Sequence, residues 1–226
     1  MTELMHSLRA QAQSSADESS SRELLAGRGP ERARRQVLRS LQQALDRLPP
    51  GPKPACAAGC ALCCHLRVAV TPVEVFGLLD HLRANATPEG FAALAARVEQ
   101  TAARVHALQP AQRLATNIPC PVLVDGRCSG YSGRPLNCRA YHSLDLAACE
   151  TSFARPEDAS LGHPQDAAVA RVHEGTQAGF LQALRGAGLD AAQYELATAL
   201  AEALVDPAAR RRFEAGGQAF LKAVRL

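Results

Sequence analysis

Four thiols fall within nine residues of this chain, Cys56-Ala57-Ala58-Gly59-Cys60-Ala61-Leu62-Cys63-Cys64. No other stretch constrains the fold as much. A cluster this dense points to metal ligands rather than to inert core residues. A second set follows at Cys120, Cys128, Cys138 and Cys149. Short spacings let one loop present several thiolates to a single zinc ion or iron–sulfur cluster. Gly59 supplies the backbone freedom that such a loop needs beside its ligands. We therefore expect folding to bring the two sets together around metal, with all eight cysteines as candidate ligands. For any one of them taken alone, burial as a small apolar side chain is the simpler account.

The compartment matters to that reading. Residues 1–20 contain no continuous apolar stretch after the first charges, so no secretory signal is expected, and no run approaches the ~18 apolar residues of a membrane span. The expectation is a cytoplasmic chain, where thiols stay reduced and clustered cysteines bind metal or react rather than pair as disulfides. The formal charge of +3 is too small to imply nucleic acid, and the arginines are scattered along helical faces.

Hydrophobic residues make up 47% of the chain, but much of that is alanine, and aromatics are only 4% with no tryptophan. Cores of Ala, Leu and Val suit close-packed helices. Residues 1–30, polar and ending at Gly29-Pro30, read as a flexible tail. Residues 31–226 read as one helical metal-binding domain with its cysteine segment at 56–150. Val37, Leu38, Leu41, Leu45 and Leu48 recur at helical steps over 31–48, and the proline run 49–54 stops that helix. Thr71-Pro72-Val73-Glu74 carries a capping box with proline at the first helical position, opening a helix to Asn85. Thr87-Pro88 repeats the device for a helix to about Leu108, and the two helices are expected to pair antiparallel.

Asp125-Gly126 signals a small hairpin. A strict two-residue turn pairs Leu123 with Cys128 and puts Cys120 on the other face, so we expect a bulge or longer loop to bring the two cysteines together. Ser143 is expected to cap a helix over 144–150. Three further helices are expected at 164–185, 191–205 and 207–223, with Phe213, Phe220 and Leu221 among their core positions. The fold class expected is mainly α, with a central, loop-heavy cysteine segment containing a small hairpin.

On these residues the chain resembles the CxxCxxCC cysteine-cluster family, bacterial zinc- or iron-chelating proteins also called YkgJ-like. The resemblance rests on Cys60-Ala61-Leu62-Cys63-Cys64, on Val70-Thr71-Pro72-Val73-Glu74-Val75, on Cys120-Pro121-Val122-Leu123 through Cys128-Ser129-Gly130-Tyr131, and on Arg134-Pro135-Leu136-Asn137-Cys138-Arg139. It covers roughly residues 56–142. The first spacing departs from the family, with three residues rather than two between Cys56 and Cys60. The resemblance implies zinc or an iron–sulfur cluster, 4Fe-4S among the forms, in a structural, redox or metal-handling role. It supplies no settled reaction.

The spacing Cys56-x3-Cys60-x2-Cys63 also describes the cluster loop of radical S-adenosylmethionine enzymes. The helical downstream chain lacks their alternating strands and glycine-rich cofactor segment. Flagellin lysine methylases resemble the same cysteine-cluster family, which keeps methyl transfer as an alternative, and a zinc-stapled interaction scaffold is the third. His65, directly after Cys64, and His142, four residues after Cys138, are placed to ligate or hydrogen-bond a centre, and are expected to support it or to be exposed rather than to ligate it. Arg134 and Arg139 are candidates to offset thiolate charge, and Tyr131 and Tyr141 to pack over the site. His81, His106, His163 and His173 are expected to be solvated.

Overall fold

The capping box at Thr71 forms as the sequence requires. In a computed structural model describing residues 2–226, the Thr71 backbone N–H and hydroxyl donate to Glu74 Oε2 at 2.9 and 2.7 Å. They start α3 (Pro72–Asn85), which follows α1 (Thr2–Leu25) and α2 (Pro30–Asp46). Thr87 Oγ1 accepts from the Gly90 N–H and starts α4 (Pro88–Ala107). Then come α5 (Pro110–Leu114), α6 (Leu136–Ala140), α7 (Leu146–Ala154), α8 (Ala167–Gly186), α9 (Leu196–Val205) and α10 (Ala208–Glu214). Strands are only two residues long: β1 (Ala69–Val70) pairs antiparallel with β4 (Tyr194–Glu195), and β2 (Leu123–Val124) with β3 (Arg127–Cys128). The protein is mainly α, with its cysteines in the central segment. Among the described residues no helix is long and apolar enough to cross a membrane.

The N-terminal segment corrects the sequence reading. Instead of a flexible tail, residues 2–25 form α1, laid along α8 and α2. Its buried face is made of Ala12, Ala16 and Ser20, with Glu23 at its end. Two glycines of α8 make the close approach possible. A Cβ on Gly175 would strike the Arg9 carbonyl oxygen, and one on Gly179 that of Gln13. Polar bonds fasten the layer: Gln182 Nε2 donates to Asp17 Oδ2 at 2.7 Å, Ser40 Oγ to Ser19 Oγ at 2.9 Å, and Glu23 pairs with Arg28 and Arg32 at 2.7 and 3.0 Å.

A second group of helices is built around α9, which packs against both α3 and α4. The expected α3–α4 pair is therefore not the main contact; the apolar α9 takes the place of the partner. Phe76 of α3 meets Phe213 and Phe220 with ring centroids 5.8 and 5.5 Å apart, and Phe220 meets Tyr194 edge-on at 5.1 Å.

The last expected helix is shorter than its pattern. It ends at Glu214 because Gly216 adopts φ 78°, and residues 215–226 run as an irregular strap. Glu202 holds the strap, accepting the N–H groups of Leu221, Lys222 and Ala223 at 2.6–2.8 Å. Leu221 consequently points outward and is 63% exposed, not core.

Candidate metal centre

Three chain segments are tied to one another by backbone and side-chain hydrogen bonds before any ligand is considered. The first cysteine loop turns at Gly59, whose φ of 92° is the left-handed conformation expected of it, with the Cys60 N–H donating to the Ala57 oxygen at 3.0 Å. A short 3-10 helix, Leu62–His65, then carries Cys63 and Cys64. The second segment joins it directly, because the Cys120 N–H donates to the Cys64 oxygen at 2.7 Å and the Ile118 N–H to the His65 oxygen at 3.1 Å.

Cys120 and Cys128 converge, but not through a bulge. The hairpin is the strict two-residue form, with Leu123 opposite Cys128 and with Asp125 and Gly126 both at positive φ, 49° and 72°. Cys120 lies before the ladder, in a turn closed by the Leu123 N–H donating to the Cys120 oxygen at 2.9 Å. That turn frees it from strand alternation. The hairpin tip at Gly126 approaches the Gly59 carbonyl of the first loop.

The third segment is α6, which carries Cys138. Glu74 Oε1 accepts the Leu136 N–H at 2.8 Å, and Asn137 Nδ2 donates to the Ala69 oxygen at 2.6 Å. Glu74 is thus cap to two helices at once. The Arg134 guanidinium stacks on the Tyr131 ring at 3.5 Å, and Arg139 Nε donates to the Arg134 oxygen at 3.0 Å. Tyr131 is 62% exposed and so stands at the rim rather than over a buried site.

The result is one cavity of about 850 Å³ lined by Cys56, Cys60, Cys63 and Cys64 from the first loop and by Cys120, Cys128 and Cys138 from the later segments. Arg134 and Tyr141 also line it. α8 lines it as well, through Ala170, His173, Glu174 and Gln177. Cys149 is not part of the lining; it sits on α7, which lies against the 3-10 helix. All eight cysteines are free thiols. Among the described residues no three Cys, His, Asp or Glu side chains already stand as a finished metal shell. The backbone has gathered the thiols, and rotation about each Cα–Cβ bond moves a sulfur without moving the chain.

The electrostatics suit a cation. The adjacent thiols Cys63 and Cys64 act on one another, which raises the Cys63 pKa and lowers that of Cys64. Burial pushes Cys120 up to about 12 and raises Cys138 and Cys128, and the charges of neighbouring cysteines act in the same direction. Arg134 opposes this at Cys63, Cys128 and Cys138. Thiols so placed release their protons to a metal ion rather than to water. The donor set is soft sulfur, which fits zinc and iron–sulfur clusters.

The histidines are employed elsewhere. His65 Nδ1–H donates to the Ala61 oxygen at 3.0 Å and its ring meets Phe153 edge-on. His142 donates through Nδ1 to the Ala140 oxygen at 2.9 Å and accepts the Asp166 N–H on Nε2 at 3.0 Å, so both ring nitrogens are used. Two expectations of solvated histidines fail. His173 is buried in the cavity wall, where burial lowers its pKa to about 4. His163 stacks on Tyr141 with ring centroids 4.6 Å apart, and its Nε2 is buried without a partner. The cap of α7 is Asp145, whose carboxylate accepts the Ala148 N–H, while Ser143 serves the turn before it.

The α8 wall gave no signal in the sequence, because His173, Glu174 and Gln177 read as the polar side of an ordinary surface helix. Glu74 was legible as a cap, but not as the anchor of α6.

No curated protein and no solved structure shows significant similarity to the chain. Residues 55–160 match the family model CxxCxxCC, described as "Putative zinc- or iron-chelating domain". The match spans all eight cysteines and extends past the resemblance seen at 56–142 to include Cys149 and α7. It supports metal binding through the cysteines, and over this segment the chain is similar to the CxxCxxCC zinc- or iron-chelating family.

Proposed function

We propose that this is a cytoplasmic protein whose thiolates hold an iron–sulfur cluster open to a reactant, in a redox or catalytic role. One observation carries the reading: seven cysteines line a single cavity of about 850 Å³ together with His173, Glu174 and Gln177 of α8. A structural zinc site closes on itself with four ligands. Here the cysteines line a space much larger than an ion needs. When bound, a cluster supplies one-electron chemistry or an iron position for substrate. The chain's own part is to gather the thiols, offset their charge with Arg134 and present His173, Glu174 and Gln177 across the cavity.

A second reading is a zinc staple. It is favoured by the separate origins of Cys64, Cys120, Cys128 and Cys138, which a tetrahedral ion would lock together.

Metal and acid-labile sulfide content, with an absorbance spectrum on protein purified without oxygen, tests the two. Iron with sulfide and a broad band near ~400 nm supports the cluster. Zinc without sulfide overturns it in favour of the staple.

A further inference from the structure

The charged groups of the cysteine cavity are out of balance. Arg67, Arg127 and Arg134 all line it, and its one acid is Glu174. Glu174 is already taken, paired with Arg171 beside it on α8 and with Arg9 of α1. Among the described residues no carboxylate stands within ion-pair distance of the three cavity arginines. Arg134 is held in place, with its Nε donating to the Tyr131 oxygen at 3.0 Å and its guanidinium 3.5 Å over the Tyr131 ring. Its two terminal nitrogens keep no partner within the chain. Arg67 and Arg127 are exposed, and their guanidiniums make no hydrogen bond to another described residue. Metal binding does not use up this charge. A zinc ion or an oxidised cluster on four thiolates keeps about two negative charges, fewer than the guanidiniums supply.

The uncharged lining carries an independent sign of a ligand. His173 is only 7% exposed and lines the cavity, yet neither ring nitrogen is hydrogen-bonded to another described residue. Buried polar groups are ordinarily satisfied, and one left open on a cavity is free for a guest. Burial lowers its pKa to about 4, so at neutral pH the ring offers one donor and one acceptor. Gln177, one turn along α8, lines the cavity too, and its amide has no partner within the chain. A volume of about 850 Å³ falls in the range of roughly 300–1,000 Å³ that small-molecule sites occupy.

We propose that the reactant of this cavity is a small organic anion, its carboxylate or phosphate held by Arg67, Arg127 and Arg134 and its uncharged part by His173 and Gln177. The inference rests on the reading that a reactant meets the metal centre in this cavity. Guanidiniums stay charged at every working pH, and their paired N–H groups match the oxygens of carboxylate and phosphate alike.

Isothermal titration calorimetry of the full chain, purified without oxygen, tests this with succinate and separately with glycerol 3-phosphate. Saturation near one equivalent is expected with at least one of them, and the one that binds tells carboxylate from phosphate. Arg67→Gln and Arg127→Gln should each weaken that binding about tenfold. Both side chains are exposed and unpaired, so these variants fold and melt as the wild type does. Arg104→Gln removes an exposed charge on α4, outside the cavity, and should leave the affinity unchanged. No saturable heat from either anion, or an equal loss in Arg104→Gln, overturns the proposal. Metal and sulfide content of the same samples separates the two readings. Metal-loaded protein that binds neither anion overturns this inference alone. Arginine-dependent binding in protein that holds no metal overturns the metal reading and upholds the anion site.

Discussion

Glu74 accepts the backbone N–H of Leu136 at 2.8 Å with one carboxylate oxygen while the other closes the capping box on Thr71. One buried side chain therefore fixes the start of α3 and the start of α6, the helix that carries Cys138. Helix N-termini leave N–H groups without partners, and a carboxylate there satisfies them and meets the positive end of the helix dipole.

Two substitutions separate these roles. Thr71→Ala should cost about 1 kcal/mol through the lost cap and leave metal affinity unchanged. Glu74→Ala should cost on the order of 3 kcal/mol, because three donors lose a charged acceptor in a buried place, and metal affinity should fall with it. Denaturant unfolding and metal competition measure both. Equal metal affinity in the two variants would sink the link between Glu74 and Cys138.

Cys63→Ser and Cys138→Ser should each lower bound metal and thermal stability together, because ligand loss at a thiolate site is loss of folding energy. Metal analysis beside a melting curve shows this. Unchanged metal content in both variants would remove these residues from the set of ligands.

Deleting residues 1–28 should leave metal content intact but lower the melting temperature, since α1 lines no part of the cysteine cavity and covers α8 instead. Gly179→Val should act in the same direction by forcing α1 off α8, at a cost of at least 1–3 kcal/mol. Loss of metal in the deletion would mean that the α8 wall depends on α1 for its placement.

The buried His173 gives a pH dependence. Its pKa falls from the ordinary 6.5 to about 4 in the folded state, so the unfolded chain binds its proton more readily. The stability that depends on neutral His173 is complete above pH 6.5 and is lost as pH falls toward 4, by up to about 3 kcal/mol. His173→Gln should flatten the difference in unfolding free energy between pH 7 and pH 4.5. An identical slope in wild type and variant would mean that the ring is charged or solvated in the fold.

Local chemistry made much of this readable. Thr71-Pro72-Val73-Glu74 and Thr87-Pro88 set their helices within the first turn, and Asp125-Gly126 set the hairpin, because caps and type I′ turns are decided by a few adjacent residues. α1 was not readable. Its docking relies on Ala12 and Ala16 meeting Gly175 and Gly179, small side chains that leave no stripe of large apolar residues to count. The strap after Gly216 likewise depends on Glu202, whose three acceptor contacts lie across the chain from it.

By itself, then, the sequence determined the helical class, the starts of α3 and α4, the hairpin and where along the chain the thiols lie. These follow from neighbours along the chain. Only the tertiary structure decided which cysteines line one cavity, that α8 lines it with them, and that Glu74 anchors the helix carrying Cys138. Those relationships join segments far apart in sequence, and the hydrogen bonds between Cys120 and Cys64 and between Leu136 and Glu74 exist only once the helices have packed.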